Sequence, residues 1–280
     1  MHTSQLHSPT MRVISKDDDG SYPSTAFNPV FAQVPVMEYA AIRDDTAMAF
    51  SAGRRVGQER IWVRLQDVIV PNLTLHPHPD EDGREARHFH RVYMARWYVA
   101  NDNENSTVFG IRMFGESIDP FGTGDKSKCG YNKTDFLDGQ TGDRPRDVAQ
   151  RLPGDWDAVT SQRRIARHAM EHPTKEDAGV FLNRKNLRKA VHGQNPHMDQ
   201  DVIHARANAG ELNKVYTNNT ILNIPLQDRL DDEQLVRTVC QKMLEIVVAG
   251  DSYECDERDA FICNAIRKYE QSFASVEAAE

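Results

Sequence analysis

Two pairs of histidines, each with one residue between its members, lie close together in the first third of the chain. These histidines, and the two carboxylates between them that are candidate ligands, are His76, His78, Asp80, Glu81, His88 and His90. In a β-strand, residues i and i+2 point to the same face, so each pair can present two imidazoles together, and a hairpin would bring the pairs opposite each other. Neutral imidazoles and carboxylates are suitable ligands for zinc, iron or copper.

These histidines allow three interpretations. The first is a transition-metal site formed by the four histidines with either Asp80 or Glu81. The second is a solvated hairpin loop, because the stretch between the pairs is rich in proline and acidic residues. The third is a pH-sensitive contact, since histidine titrates near neutral pH. The sequence leaves all three open and indicates no catalytic residue.

A second cluster is basic. Residues 161–192 carry eight Lys and Arg against three Asp and Glu, a net charge of +5, whereas the rest of the chain sums to −13. A helix predicted over 174–191 would place two i,i+4 pairs of cations on one side. These cations are Arg184, Lys185, Arg188 and Lys189. Such a row could track the phosphates of a nucleic acid or contact an acidic surface of a neighbouring subunit; a solvated helix face is the alternative.

The elements that would position the histidines have the period of β-strands. The run 61–70 alternates apolar with polar or aromatic residues, and its apolar parity shifts across Asp67, which predicts a bulge. Two further runs, 88–99 and 108–114, complete a meander of long strands. We therefore expect an antiparallel sheet or sandwich over 27–118.

The pattern changes towards a period of 3.6 after a glycine-rich loop at 119–143, which we interpret as a hinge. The region 144–280 is predicted to be mainly helical, with an extended segment near 215–226. The predicted helices cover 155–170, 174–191, 231–248 and 257–273. Thr174 and Asp177 resemble a capping box that would open the second helix. The third helix has an apolar stripe through Leu235, Val236, Val239, Cys240, Met243, Ile246 and Val247. The sequence thus predicts an α+β protein with a polar N-terminal arm at 1–26, a β-rich lobe at 27–118, the hinge and a helical lobe.

Composition limits the class of partner and the compartment. The 280 residues include 34 Lys and Arg against 42 Asp and Glu, so the formal net charge is −8. This charge disfavours a chain-wide coating of nucleic acid or of an anionic membrane. The sequence contains no apolar run of about 18 residues and no apolar stretch of the signal-peptide type near its start. We therefore expect a protein of the cytosol that makes no membrane contact.

The leading functional interpretation is a self-associating, non-enzymatic assembly protein, such as a structural protein of a virus or phage, in a host cytosol or a virion. It rests on the polar arm, the loop-rich sheet and the lack of a recognisable catalytic motif. Further copies of the chain are the expected partner, and nucleic acid is a second candidate. The alternative is a metal-dependent enzyme that uses the histidines and a transition metal. A third interpretation is a polyanion-binding module built on residues 184–189.

Overall fold

The computed structural model describes residues 30–31, 33–43, 45–78, 81, 83–115, 118, 145–151, 155–211, 214–227 and 230–277. The polar arm expected at 1–26 and the hinge expected at 119–143 lie outside these residues. Antiparallel strands are followed by a mainly helical region, so the predicted α+β class is confirmed. None of the described helices combines the length and apolar content needed to cross a membrane.

The described strands form one antiparallel sheet. They are β1 (Val36–Ile42), β2 (Ala47–Val56), β3 (Arg60–Ile69), β4 (Leu73–Pro77), β5 (Arg87–His90), β6 (Val92–Ala100), β7 (Ser106–Arg112) and β8 (Asn218–Leu222). Their hydrogen-bonded order is β1-β2-β3-β4-β6-β7, and β8 pairs with β3 and β5. Strand β3 has two neighbours on one edge, because residues 61–65 pair with β8 and residues 67–69 pair with β4.

The ends of the helices follow local sequence signals. The helices are α1 (Arg146–Arg151), α2 (Asp155–Thr160), α3 (Ala178–Val191), α4 (Gln200–Asn208), α5 (Asp232–Ala249) and α6 (Cys255–Glu277). Asp231 caps α5, since its side chain accepts a hydrogen bond from the backbone N–H of Gln234 at 3.2 Å. Thr174 and Asp177 form the predicted capping box in the turn before α3.

The main core lies between one face of the sheet and helices α5 and α6. Ile61, Val63 and Leu65 of β3 are fully buried there. The apolar stripe predicted for α5 packs in the same core and consists of Leu235, Val236, Val239, Cys240, Met243, Ile246 and Val247. Ile262 and Ile266 of α6 complete it. Burying a side chain of this size contributes roughly 1.5–3 kcal/mol, so this layer is a major source of stability.

Strand β1 shows that helices lie on both faces of the sheet. Glu38 accepts a hydrogen bond from Arg237 of α5 at 2.5 Å. The next residue, Tyr39, lies against Gly179 of α3 and donates its hydroxyl hydrogen to the Glu176 carbonyl at 2.5 Å. Successive strand residues point to opposite faces. Helix α5 therefore covers one face, here named the core face, and α3 lies on the other.

The strands differ from the predicted pattern in two places. The run predicted over 88–99 is divided into β5 and β6, with Phe89 at a positive φ of 59° where β5 leaves to pair with β8. The bulge predicted at Asp67 is wrong, because β2 and β3 pair without a register shift. Asp67 is a buried residue in step with Leu65 on the core face. Because a carboxylate occupies this core position, the alternation of apolar and polar residues along β3 is interrupted, and the interruption resembles a bulge.

The helical region also connects directly to the strands. The extended segment predicted near 215–226 contains β8, which belongs to the same sheet as β1 to β7. The helix predicted over 155–170 is shorter, since α2 ends at Thr160 and a single 3-10 turn follows at His168–Met170. The division of the chain into two lobes stays a prediction.

Candidate functional site

The four histidines lie on, or directly after, two strands that do not pair with each other. His76 belongs to β4 and His78 follows that strand, whereas His88 and His90 belong to β5. Strand β4 pairs with β3 and β6, and β5 pairs with β8. The hairpin that would bring the two pairs opposite each other is therefore not formed.

His76 is a neutral, half-buried imidazole. Its Nε2 atom lies 2.8 Å from the hydroxyl oxygen of Thr74. Burial, followed by the nearby charges of Arg96 and Arg64, lowers the pKa of His76 to about 3. The imidazole therefore has no net charge at neutral pH.

His88 joins β5 to the last helix. Its Nε2 atom lies 2.8 Å from Oε2 of Glu270 in α6, and both side chains are largely buried. The other carboxylate oxygen of Glu270 accepts a hydrogen bond from the backbone N–H of Asn223, just after β8. This carboxylate links β5, the end of β8 and α6, which is a structural role.

Two further members of the cluster are fully buried. The carbonyl oxygen of His78 accepts a hydrogen bond from Asn219 Nδ2 at 2.9 Å, and Asn219 Oδ1 accepts one from Trp62 Nε1 at 3.0 Å. Glu81 Oε1 accepts a hydrogen bond from a backbone N–H two residues later, and Glu81 Oε2 lies 3.2 Å from Arg87 Nε. These contacts connect β3, β8 and the chain between β4 and β5.

The histidines do not complete a metal site within the described ranges. No three His, Cys, Asp or Glu side chains of those ranges come together in a way that could hold a metal ion. Asp80, one of the two predicted carboxylate ligands, lies outside the described residues. The metal site therefore stays a prediction.

Two of the four cations predicted to form a contact surface on α3 are engaged within the chain. Arg184 donates two hydrogen bonds, each 2.7 Å long, to the carboxylate of Glu171. Lys189 forms an ion pair with Asp45 at 2.5 Å. Lys185 and Arg188 are exposed. A complete row of four cations is thus not presented to a partner.

Sequence analysis missed a polar cluster centred on Asp67. Its Oδ2 atom accepts a hydrogen bond from the backbone N–H of Tyr216 at 3.0 Å, while Oδ1 is buried and accepts none from the described residues. Burial raises the pKa of Asp67 to about 6, against the opposing effects of that hydrogen bond and of Arg43 and Arg258. The apparent parity shift in β3 was the only sequence signal for this residue.

A cavity of about 260 Å³ opens beside this cluster. It is lined by Ala41, Ile42, Arg43, Asp45, Tyr216, Val248 and Asp251. The hydroxyl group of Tyr216 donates to Asp251 Oδ2 at 2.5 Å, and the Arg43 guanidinium lies 5.5 Å from the centre of the Tyr216 ring. A buried group that titrates near neutral pH beside a cavity is typical of functional sites. The cavity is therefore a candidate site for a small polar molecule.

Comparison with known proteins gives one informative similarity. The chain is 34% identical over 228 residues to a tert-butanol monooxygenase / tert-amyl alcohol desaturase oxygenase subunit from Aquincola tertiaricarbonis. The match covers 81% of this chain and 47% of that protein, so the chain spans about half the length of the relative. No protein-family model matches the chain.

This similarity corrects the leading functional interpretation. The expected assembly protein of a virus or phage is wrong, because the relative is a subunit of an oxygenase. The expectation of nucleic acid as a partner is not supported either. The interpretation held as the alternative, a metal-dependent enzyme, agrees better with the comparison.

Proposed function

We propose that this chain forms part of an oxygenase that acts on a small tertiary alcohol. The observation that carries the proposal is the 34% identity over 228 residues to the tert-butanol monooxygenase subunit. Parts of the same proposal are association with further copies of the chain and, as the sequence predicts, a location in the cytosol. The cavity beside Arg43 is of a size compatible with a small alcohol.

The chemistry defines what the complete enzyme must supply. Monooxygenation inserts one oxygen atom of O2 into a C–H bond and reduces the other to water, using two electrons and two protons. Desaturation removes two hydrogen atoms to form a C=C bond, and with two further electrons and protons it reduces O2 to two water molecules. Both reactions need an external electron donor and a group that activates O2, for which transition metals such as iron are suited.

The described residues do not account for that group. They contain no set of three potential metal ligands, and Asp80 lies outside them. We therefore assign no step of the reaction to His76, His78, His88 or His90. The sheet and helices α5 and α6 supply a scaffold in this proposal, and the ligands include residues beyond the described ranges.

A chimera tests the proposed reaction. The matched region of the Aquincola subunit would be replaced by this chain, and the purified, iron-loaded protein supplied with a chemical electron donor, ¹⁸O2 and tert-butanol or tert-amyl alcohol. We expect a hydroxylated product that carries ¹⁸O, or an alkene whose formation depends on O2. A folded chimera that holds iron but converts neither alcohol, while the unmodified relative converts both, would contradict the proposal.

The predicted metal site at the histidines has a separate test. Replacing His88 and His90 together by Asn should remove any stoichiometric transition metal from the purified protein, which elemental analysis would measure. Replacing the exposed His172 and His192 by Asn is the matched control and should leave the metal content unchanged. A wild-type protein without metal, or equal metal in both variants, would remove the support for these ligands.

A further inference from the structure

Helix α3 turns its apolar residues outward. Val180, Phe181, Leu187 and Val191 are 45%, 46%, 37% and 75% exposed. The buried residues of α3 are Gly179 and Asn186, and neither supplies an apolar side chain. Asn186 is 1% exposed, and neither polar atom of its side chain hydrogen-bonds to a described residue. A helix that packs on a sheet normally has the reverse distribution. The outward face has the composition of a surface that a partner covers.

The surrounding chain continues this pattern. Val159, Ile165 and Met170 are each more than half exposed. Among the residues of 157–211 and Lys214 whose side chains the structure describes, none contributes a hydrophobic side chain to the buried core. Single exposed apolar residues are ordinary on protein surfaces, but their concentration in one stretch indicates an interaction site.

The outward face of α3 is also positively charged. Lys185 lies one helical turn after Phe181, and Arg188 lies one turn before Val191, so cations and apolar groups share this side. Both cations are exposed and lie within 4 Å of no carboxylate of the described residues, although Lys185 is near enough to Asp45 to help lower the pKa of that carboxyl group. A partner that fits this face must combine apolar contacts with negative charge.

The layer formed by α5 and α6 on the core face has both negative charge and exposed apolar groups. Residues 231–277 contain eleven acidic and five basic residues, a net charge of −6. Asp256 and Glu257 in the first turn of α6 are exposed and make no ion pair with the described residues. The chain just before them exposes Val248 and Tyr253 at 38% and 40%. These four residues are here named the acidic end.

We propose that the outward face of α3 docks onto the acidic end of a second copy of this chain. Lys185 and Arg188 meet Asp256 and Glu257 in this contact, and Phe181 packs among the exposed apolar groups. The two surfaces belong to helices on opposite faces of the sheet, so they cannot cover each other within one molecule. Complementary charge favours this pairing over like-charged alternatives. The inference does not depend on the proposed enzymatic reaction.

The contact can be tested by reversing the charges on each surface and measuring the mass of the assembly in solution. Native mass spectrometry and light scattering should find the wild type in assemblies heavier than its 31.8 kDa monomer. The Lys185→Glu/Arg188→Glu variant and the Asp256→Lys/Glu257→Lys variant should each raise the apparent dissociation constant at least tenfold. Combining all four changes restores opposite charges across the contact and should recover most of the association.

Controls separate this contact from a folding defect and from other partners. Lys268→Glu reverses an exposed charge of α6 outside the acidic end and should leave the mass unchanged. Phe181→Ser should weaken association without lowering the melting temperature. The proposal is overturned if the wild type is monomeric, if the fourfold variant fails to reassociate while folded, or if nuclease treatment dissolves the assembly.

Discussion

Asp67 shows how one buried carboxylate can affect both sequence interpretation and stability. It occupies a core-face position of β3 where the neighbouring inward residues are apolar, and this is why the alternation suggested a bulge. Its partners are the Tyr216 backbone and the charges of Arg43 and Arg258, which come from distant parts of the chain. A sequence pattern describes local periodicity and contains no information about those contacts.

Replacing Asp67 by Asn should remove a pH dependence of stability. The pKa is raised from 3.8 to about 6 in the folded protein, so the unfolded chain loses its proton at lower pH. Folding therefore becomes less favourable as pH rises from about 4 to 6, by roughly 3 kcal/mol for a shift of about two units, and stays so above pH 6. Urea unfolding at several pH values would measure this loss in the wild type and its absence in Asp67→Asn.

Asp102 provides a control with the opposite sign. Hydrogen bonds from Asn105 and from the backbone N–H of Glu104 lower the pKa of this exposed carboxyl group. Its contribution to stability is present above the unfolded pKa and is lost as pH falls through the lower, folded one. Asp102→Asn should therefore keep the slope between pH 4 and 6, and an Asp67→Asn variant with that same slope would contradict the assignment.

Among the helices and strands, the features with a strong local sequence pattern were predicted correctly. The stripe of α5 and the capping box before α3 were predicted and are present, because each depends on residues within a few turns of one another. The pairing of β3 with two strands on one edge was not predictable. These two strands, β4 and β8, are distant from each other in the sequence. For the same reason, spacing alone did not show that β4 and β5 have separate partners.

The contact between β2 and α5 makes a prediction at Gly53. A Cβ atom there would collide with Cys240 Sγ and lie 2.7 Å from Val236 Cγ1. We expect Gly53→Ala to destabilise the protein by about 1–3 kcal/mol through overpacking, as measured by urea unfolding. Gly110→Ala on β7 is the matched control, because its new Cβ would meet only the Ala95 carbonyl oxygen at 3.8 Å. Equal effects at the two sites would contradict this close approach.

For the whole molecule, the shared core predicts cooperative unfolding. β1, β2 and β3 contribute to the same buried cluster as α5 and α6. Helical circular dichroism and the fluorescence of the fully buried Trp62 should therefore change over the same range of urea concentration. Two separated transitions would instead favour the predicted division into a β-rich lobe and a helical lobe. Variants at Trp97 and Trp156 would assign the fluorescence change.

The placement of the two docking surfaces on opposite faces of the sheet constrains symmetry. A two-fold dimer buries the same patch from both partners, whereas this contact joins two different patches. Every copy added through it presents a new α3 face and a new acidic end. Growth then stops only if the rotation between successive copies closes a ring, and otherwise continues as a filament. A closed ring covers every Phe181, while an open filament always leaves one at its end.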